Sequence, residues 1–252
     1  MKLLFLLFLT WLACGPCLAQ ASQASPALEL LARRVDEDEK KLSDWAELAR
    51  YRNDNAHLPA PRPGESRVVF LGDSITDFWG RGVERGTFFP GKPYVNRGIS
   101  TQTTAQMLVR FRADVAALKP RVVVILAGTN DIAGNTGPAT DGMIEDNLAS
   151  MSEIAQANGI KVVLSSLLPV NDLFYPNETE SRPQQRIRAI NNWLRDYAAV
   201  KGFAYLDYYG VFVDANGLMK PDLSNDGLHP NTRGYRLMES LAQQAIDQAL
   251  RH

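Results

Sequence analysis

The run Val122–Ala127, with the sequence Val-Val-Val-Ile-Leu-Ala, decides the fold class of this protein. An apolar stretch without polar alternation is typical of a strand that is buried on both faces of a parallel sheet. The other predicted strands are Val68–Leu71, Tyr94–Asn96, Val162–Leu167 and Ala204–Leu206. Helical patterns separate these strands, so the chain needs crossover connections between them. The sequence therefore predicts an α/β fold, with a parallel sheet that carries helices on both faces.

Each predicted helix of this region has one apolar face at helical spacing. Those faces are Leu108, Phe111, Val115 and Leu118; Ile144, Leu148, Met151 and Ala155; Ile187, Ile190, Leu194 and Tyr197; and Met238, Leu241, Ala242, Ala245 and Ala249. A further helical pattern runs from Leu28 to about His57, and the prolines that begin at Pro59 end it. This N-terminal helix either packs onto the same chain or mediates dimerisation.

The beginning of the chain has the composition of a secretory signal peptide. A charged start precedes an apolar run from Leu3 to Ala13, and small residues follow up to Ala21. The run is shorter than the roughly 20 apolar residues that a membrane span needs. We therefore expect residues 1–21 to be cleaved after Ala19 or Ala21 and the protein to be exported, to the periplasm or beyond. The alternatives are an N-terminal anchor helix and a buried first helix.

Composition narrows the functional classes. The 252 residues carry 27 Lys+Arg and 28 Asp+Glu, and a net charge of -1 removes the electrostatic basis for a nucleic-acid binder. The only cysteines, Cys14 and Cys17, lie in the predicted signal peptide. The mature chain is thus expected to have no disulfide, no thiol nucleophile and no cysteine zinc site. A lipid on either cysteine is a minority alternative.

Polar or glycine-containing turns follow the predicted strands, at the sheet edge where parallel α/β proteins bind ligands. These turns are Gly72–Thr76, Asn96–Gly98 and Gly128–Asp131, and a fourth, Asp226–Asn231, precedes the last helix. Any one of them alone has a structural explanation as a turn or a helix cap. Their occurrence together, in order, predicts one site at this edge of the sheet.

The residue types in these turns fit nucleophilic catalysis. Ser74 lies at a strand-to-helix turn, where it can present its hydroxyl as a nucleophile. Of the three histidines only His229 lies in a turn of this set, and Asp226 is close enough to orient its ring. The candidate oxyanion donors are the N–H groups of Ser74 and Gly98 and the side-chain amide of Asn130.

These turns resemble the sequence blocks of GDSL-type esterases of the SGNH hydrolase superfamily. Gly72–Thr76 is similar to the nucleophile block, with Asp73 supporting its turn, and the other turns are similar to the remaining blocks. The resemblance covers residues 66 to 250 and implies a three-layer α/β/α sandwich with a five-stranded parallel, flavodoxin-like sheet. It implies Ser74, Asp226 and His229 as the catalytic triad and Ser74, Gly98 and Asn130 as the oxyanion hole.

The expected organisation is a signal peptide (1–21), a helical extension with a Pro-rich connector (22–64) and a hydrolase domain (65–252). The expected activity is hydrolysis of small acyl esters, such as O-acetylated carbohydrate, with no cofactor, no metal and no nucleic-acid partner. A lysophospholipase or thioesterase is the alternative, and a non-catalytic glycan-binding relative is a third. Aromatic side chains after the nucleophile block and in the loop with Phe174 and Tyr175 either line the rim of the site or pack into the body of the protein.

Overall fold

The computed structural model of the protein describes residues 25–251. The predicted signal peptide and both cysteines lie outside the described residues. The chain forms two units, one that ends at Ser43 and one that begins at Asp44. The first contains helix α1 (Pro26–Ser43), on which the apolar side chains of Leu28, Leu31 and Leu42 are exposed. None of the helices within residues 25–251 combines the length and the apolar character needed to cross a bilayer.

The second unit is built on a five-stranded parallel sheet in the order β2-β1-β3-β4-β5. Its strands are β1 (Val68–Gly72), β2 (Tyr94–Gly98), β3 (Val122–Leu126), β4 (Lys161–Ser165) and β5 (Ala204–Leu206). Strand β3 is central and wholly buried, as its apolar run predicts. The helices Thr104–Asp114, Asp141–Ala157 and Gln184–Lys201 pack side by side, and the helix Thr232–Arg251 packs on β3, β4 and β5. The predicted α/β sandwich is confirmed.

The helices of this unit present their predicted apolar faces to the sheet, although Leu108, Tyr197 and Leu241 are only half-buried. The α-helices after α1 are α2 (Arg52–His57), α3 (Ser74–Asp77), α4 (Thr104–Asp114), α5 (Thr129–Ile132), α6 (Asp141–Ala157), α7 (Glu178–Ser181), α8 (Gln184–Lys201), α9 (Tyr209–Phe212) and α10 (Thr232–Arg251). Short 3-10 turns occupy Val83–Arg85, Ala116–Leu118 and Pro221–Leu223. Strand β2 runs to Gly98, further than predicted, whereas β4 ends at Ser165, before the predicted Leu167. These boundaries decide which residues begin the loops at the functional edge.

The single helix predicted from Leu28 to about His57 is wrong. The helical pattern breaks after Ser43, because the carboxylate of Asp44 accepts the backbone N–H groups of Leu48 and Ala49 at 2.7 and 2.9 Å. A side chain that takes backbone donors in this way competes with helical hydrogen bonds. The chain turns there and resumes in α2, inside the compact unit. That unit therefore begins before residue 65, where the hydrolase domain was expected to start.

Candidate active site

Ser74, His229 and Asp226 form a hydrogen-bonded chain at the carboxyl edge of the sheet. His229 Nε2 lies 2.8 Å from Ser74 Oγ, and His229 Nδ1 lies 2.8 Å from Asp226 Oδ2. Ser74 is the first residue of α3, directly after β1, whereas the other two lie in the loop before α10. The fold thus brings together residues that are 155 positions apart. This is the arrangement in which a histidine can take the hydroxyl proton of a serine.

Hydrogen bonds between side chains and backbone groups of the same loop fix the loop that carries His229. Asp226 Oδ1 accepts the N–H groups of Leu228 and His229 at 3.0 and 2.6 Å, and Ser224 Oγ donates to the carbonyl of His229 at 2.7 Å. Gly227 has φ +86, and a Cβ there would lie 2.4 Å from a backbone oxygen of Asn171, so only glycine fits. Burial acts to raise the pKa of Asp226, but hydrogen bonds from His229 outweigh it and keep the pKa well below its ordinary value. The carboxylate is therefore ionised and able to orient the imidazole ring.

The turn before Ser74 contains a buried carboxyl group. Asp73 Oδ1 caps α3 by accepting the N–H of Ile75 at 2.9 Å. Its second oxygen, Oδ2, is buried without a hydrogen-bond partner among the residues that the structure describes. Burial raises the pKa of Asp73 to about 6, since a buried carboxylate loses its hydration.

The oxyanion donors agree only in part with the sequence. Asn130 Nδ2 donates one hydrogen to the carbonyl of Gln102 at 3.0 Å, which leaves its second amide hydrogen for a substrate. Gly98, in contrast, donates its N–H to Asn96 Oδ1 at 2.9 Å. A Cβ on Gly98 would lie 2.2 Å from the backbone nitrogen of Asp77, so this glycine is needed for close packing of β2 on α3. Its predicted oxyanion role requires an N–H that is already engaged, and the structure argues against it.

Thr101 is a residue of this loop that the sequence did not single out. It has φ +70, an unfavourable backbone conformation for a β-branched residue. Its neighbours are fixed on both sides, because Ser100 donates its N–H to Asp77 Oδ2 at 3.1 Å and the carbonyl of Gln102 accepts from Asn130. Within residues 25–251, the backbone N–H groups of Thr101 and Ser74 have no hydrogen-bond partner. Both are therefore free to donate to a substrate, and no sequence signal marks a threonine for this conformation.

Phe78 lies close to the ring of His229, and Arg85 lies over Phe78. The rings of Phe78 and His229 have centroids 5.1 Å apart, and the guanidinium of Arg85 lies 5.1 Å above the Phe78 ring. Arg85 also donates to the carbonyl of Pro230 at 3.3 Å. The other aromatics after the nucleophile block, Trp79, Phe88 and Phe89, pack around the ring of Phe70 on β1. Phe78 thus belongs to the site, whereas those three belong to the core.

An exposed loop lies next to the turn that carries Asp226 and His229. The N–H of Asn171 bonds to the carbonyl of Gly227 at 2.9 Å, which places the start of this loop beside that turn. Leu173, Phe174 and Tyr175 follow, and they are 63%, 52% and 60% exposed. Their apolar surface is available to a substrate. In the region from 25 to 251, no group of three or more His, Cys, Asp or Glu side chains is arranged to hold a metal ion.

Comparison with known proteins places this site in a family. The family model for GDSL-like lipases and acylhydrolases matches residues 70–237. Esterase TesA of Pseudomonas aeruginosa is 31% identical over 182 residues, which are 71% of this chain and 83% of that esterase. The crystal structure of a GDSL-like lipase from Bacteroides thetaiotaomicron has a TM-score of 0.75 and 42% identity, and the match covers 81% of this chain and 98% of that one. Lipoprotein YqeF of Bacillus subtilis, an uncharacterised protein, is 26% identical over 168 residues, 57% of this chain and 69% of its own length.

The family match spans more than half of the chain and includes Ser74, Asp226 and His229. The fold of this chain is also that of the similar GDSL-like lipase structure. The protein belongs to the GDSL-like lipase/acylhydrolase family and is a serine ester hydrolase.

Proposed function

We propose that the protein hydrolyses carboxylic esters through an acyl-enzyme on Ser74, with His229 as the general base and acid and Asp226 as the group that orients it. The observation that carries the proposal is the 2.8 Å contact between His229 Nε2 and Ser74 Oγ. A histidine that already contacts the hydroxyl needs no rearrangement to accept its proton. The free donors of Ser74, Thr101 and Asn130 supply the second requirement, which is a place for negative charge.

In the acylation step, Ser74 Oγ forms a bond to the carbonyl carbon of the ester, and His229 Nε2 takes the hydroxyl proton. The carbonyl oxygen becomes an oxyanion, which accepts hydrogen bonds from the N–H of Ser74, the N–H of Thr101 and the amide of Asn130. The intermediate collapses when the bond to the alcohol oxygen breaks, and that oxygen takes the proton from Nε2. Asp226 keeps the other ring nitrogen protonated, so that Nε2 presents its lone pair to Ser74.

Water repeats the sequence in the deacylation step. His229 Nε2 accepts a proton from a water molecule while the water oxygen bonds to the acyl carbon. The bond from that carbon to Ser74 Oγ then breaks, and Oγ recovers the proton from Nε2. The carboxylic acid leaves and the site returns to its starting state. The same donors stabilise the oxyanion in both steps.

The proposed substrates are small acyl esters, with O-acetylated carbohydrate as the preferred class. Phe174 and Tyr175 are exposed three and four residues after Asn171, which bonds to Gly227, and they have the flat amphipathic faces on which sugar rings stack. The second candidate is a lysophospholipid or acyl thioester. It is favoured by Leu173, which adds an exposed aliphatic side chain to the same loop. We also propose that the protein is exported after cleavage of residues 1–21, and the similarity to a lipoprotein supports export.

The nucleophile is tested by replacing Ser74 with alanine and treating both proteins with a fluorophosphonate. Wild type is expected to gain the mass of one phosphonyl group and Ser74→Ala none, with a loss of nearly all turnover of an acetyl ester. Ser165→Ala is the matched control, because Ser165 is a buried serine at the end of another strand and its hydroxyl donates to the carbonyl of Ser166. Turnover that survives in Ser74→Ala would contradict the proposal.

The substrate class is tested with a series of 4-nitrophenyl esters from acetate to palmitate, beside an acetylated xylo-oligosaccharide and a lysophospholipid. A sharp fall in kcat/KM beyond short chains supports the carbohydrate class, and retained activity on long chains supports the lipid class. Phe174→Ala is expected to raise KM for the preferred class. Val200→Ala is the control, because Val200 is exposed on α8.

A further inference from the structure

A fully buried arginine lies behind the site. Arg110, in the middle of α4, is 0% exposed and takes no part in the proposed chemistry. A buried guanidinium loses its hydration, which is costly unless its donors are paired. The groups that accept hydrogen bonds from Arg110 therefore show which part of the structure this buried side chain supports.

The guanidinium of Arg110 bonds to the ends of two strands and to the loop that follows. Nη2 donates to the carbonyl of Gly72 at 3.2 Å, and Nη1 donates to the carbonyl of Arg97 at 2.8 Å. Nε donates to Gln102 Oε1 at 2.6 Å. Asp114, one helical turn along α4, accepts from Nη1 at 3.1 Å and balances the charge.

These acceptors lie next to the groups that would bind an oxyanion. Gly72 is the last residue of β1 and precedes the turn that presents Ser74. Gln102 is 0% exposed, and its backbone carbonyl fixes the amide of Asn130 at 3.0 Å. One side chain thus connects the nucleophile turn, the loop of Thr101 and, through Gln102, the third donor.

We propose that Arg110 is a positioning residue that sets the geometry of the oxyanion loop, defined as Ser100–Gln102, relative to Ser74. The inference rests on the proposed function, because it assigns Arg110 to the donors of that site. Arg110 contacts no substrate. Its effect is on where the N–H of Thr101 and the amide of Asn130 point when the oxyanion forms.

The oxyanion loop is also supported from its other side. Gln102 Nε2 donates to the carbonyl of Ala46 at 2.9 Å, so its amide is used at both ends. Movement of Arg110 would therefore be transmitted to the loop and not absorbed by a free side chain. Oxyanion donors act at about 2.7–3.1 Å, and a misplacement of about 1 Å can cost about 100-fold in rate. A positioning role consequently predicts a loss in kcat with little change in KM.

The chain contains a matched control, Arg67. It is 4% exposed and donates to two backbone carbonyls, Leu118 at 3.1 Å and Pro59 at 2.7 Å, and to Glu65 at 3.1 Å. Its pairing resembles that of Arg110, but it precedes β1 at the opposite edge of the sheet. Replacement of either residue by lysine removes the forked donor geometry and keeps the charge. Both variants are expected to lose stability, but only Arg110→Lys should lose catalytic activity.

The experiment measures kcat and KM for a 4-nitrophenyl acetate reaction, and urea unfolding, on the full chain with Arg110→Lys or Arg67→Lys. We expect Arg110→Lys to lower kcat roughly 10- to 100-fold with KM within about threefold. Arg67→Lys is expected to stay within about twofold in kcat at a similar loss of unfolding free energy. Equal kcat in the two variants would overturn the proposal.

A second variant covers the case in which Arg110→Lys does not fold. Gln102→Met keeps the volume but removes the acceptor of Arg110 Nε, together with the donor to the carbonyl of Ala46, while the pair of Arg110 with Asp114 remains. We expect the same fall in kcat. A cycle with Asn130→Ala separates positioning from general destabilisation, since coupled residues give non-additive effects. Asn130→Ala should cost less in the Gln102→Met background than in wild type, whereas additive losses would contradict the inference.

Failure of this proposal is distinguishable from failure of the proposed function. If Ser74→Ala keeps its activity, the acyl-enzyme mechanism is wrong and Arg110 has no oxyanion loop to position. If Ser74→Ala is inactive and Arg110→Lys matches Arg67→Lys, the mechanism stands and only the positioning role is lost.

Discussion

Asp73→Asn is expected to make the protein more stable at neutral and alkaline pH. Asp73 is 0% exposed, and its Oδ2 has no hydrogen-bond partner among residues 25–251. Asparagine preserves the cap of α3, because its amide oxygen can accept the N–H of Ile75 as Asp73 Oδ1 does at 2.9 Å. The substitution therefore removes a buried charge and leaves the local backbone unchanged.

The magnitude follows from the pKa. Burial raises the pKa of Asp73 from 3.8 to about 6, so between these values the folded state retains a proton that the unfolded state has released. The free energy of unfolding consequently falls as the pH rises through this range, by up to about 3 kcal/mol above pH 6. Well below pH 3.8 both states are protonated and the contribution disappears. Asparagine has no such dependence, so the stability difference between variant and wild type should grow from near zero to about that value.

The assay is urea unfolding followed by tryptophan fluorescence, repeated for both proteins from pH 4 to pH 8. The quantity compared is the difference in unfolding free energy at each pH, because titration of other groups cancels in that difference. Asp77→Asn is the control: the carboxylate of Asp77 forms an ion pair with Arg81 at 2.8 Å and accepts the N–H of Ser100, so its replacement should destabilise the protein at neutral pH. A difference between Asp73→Asn and wild type that does not change with pH would refute the reasoning.

Three further predictions concern the donors and the triad. Asn130→Ala should lower kcat about 100- to 1,000-fold in an acetyl-ester assay, and Asn135→Ala, which loses an exposed bond to the carbonyl of Thr101, should lower it far less. Thr101→Gly should raise the unfolding free energy by up to about 1 kcal/mol in urea titrations, because glycine adopts φ +70 without strain. A loss of stability would show that the backbone of Thr101 is not strained. Asp226→Asn should reduce kcat about 10,000-fold, because an amide donor facing Nδ1 favours the wrong tautomer of His229, and a small loss of kcat would show that the carboxylate does not set the tautomer. It should also lower the melting temperature at neutral pH, because a carboxyl group whose pKa is held below its ordinary value stabilises the folded state when ionised.

Most of the fold could be predicted from the sequence because its strongest signals are local. The apolar run of β3 directs apolar side chains to both faces of the sheet, so both faces must be covered. The periodic apolar faces of α6 and α8 predict helices that pack on the sheet. The N-terminal helix was mispredicted for a related reason. Apolar spacing continues past Ser43, but the side chain of Asp44 takes the backbone donors that a continuing helix would need. Periodicity does not register that competition.

The proximity of Ser74, Asp226 and His229 could be predicted because Ser74 follows a predicted strand, the sequence has three histidines, and Asp226 is three residues from the one in a polar turn. The oxyanion donors are backbone groups, and their availability depends on hydrogen bonds that composition does not reveal. The sequence predicts Gly98 as an oxyanion donor because glycine allows a substrate to approach the backbone closely. In the structure the group that approaches Gly98 is α3, and the N–H of Gly98 donates to Asn96. Thr101 was missed because a β-branched residue is disfavoured at its backbone conformation.

The catalytic unit extends beyond the residues that the family model matches. The match begins at residue 70, but the segment before it contributes to the support of β2 and the oxyanion loop. Tyr51 donates its hydroxyl to the carbonyl of Gly98, and the carbonyl of Ala46 accepts from Gln102 at 2.9 Å. Asn55 accepts from Arg97 Nε at 2.9 Å, one residue before Gly98. Because these contacts are made to β2 and to the oxyanion loop, the segment from Asp44 to His57 is part of the structure that holds the backbone of both in place.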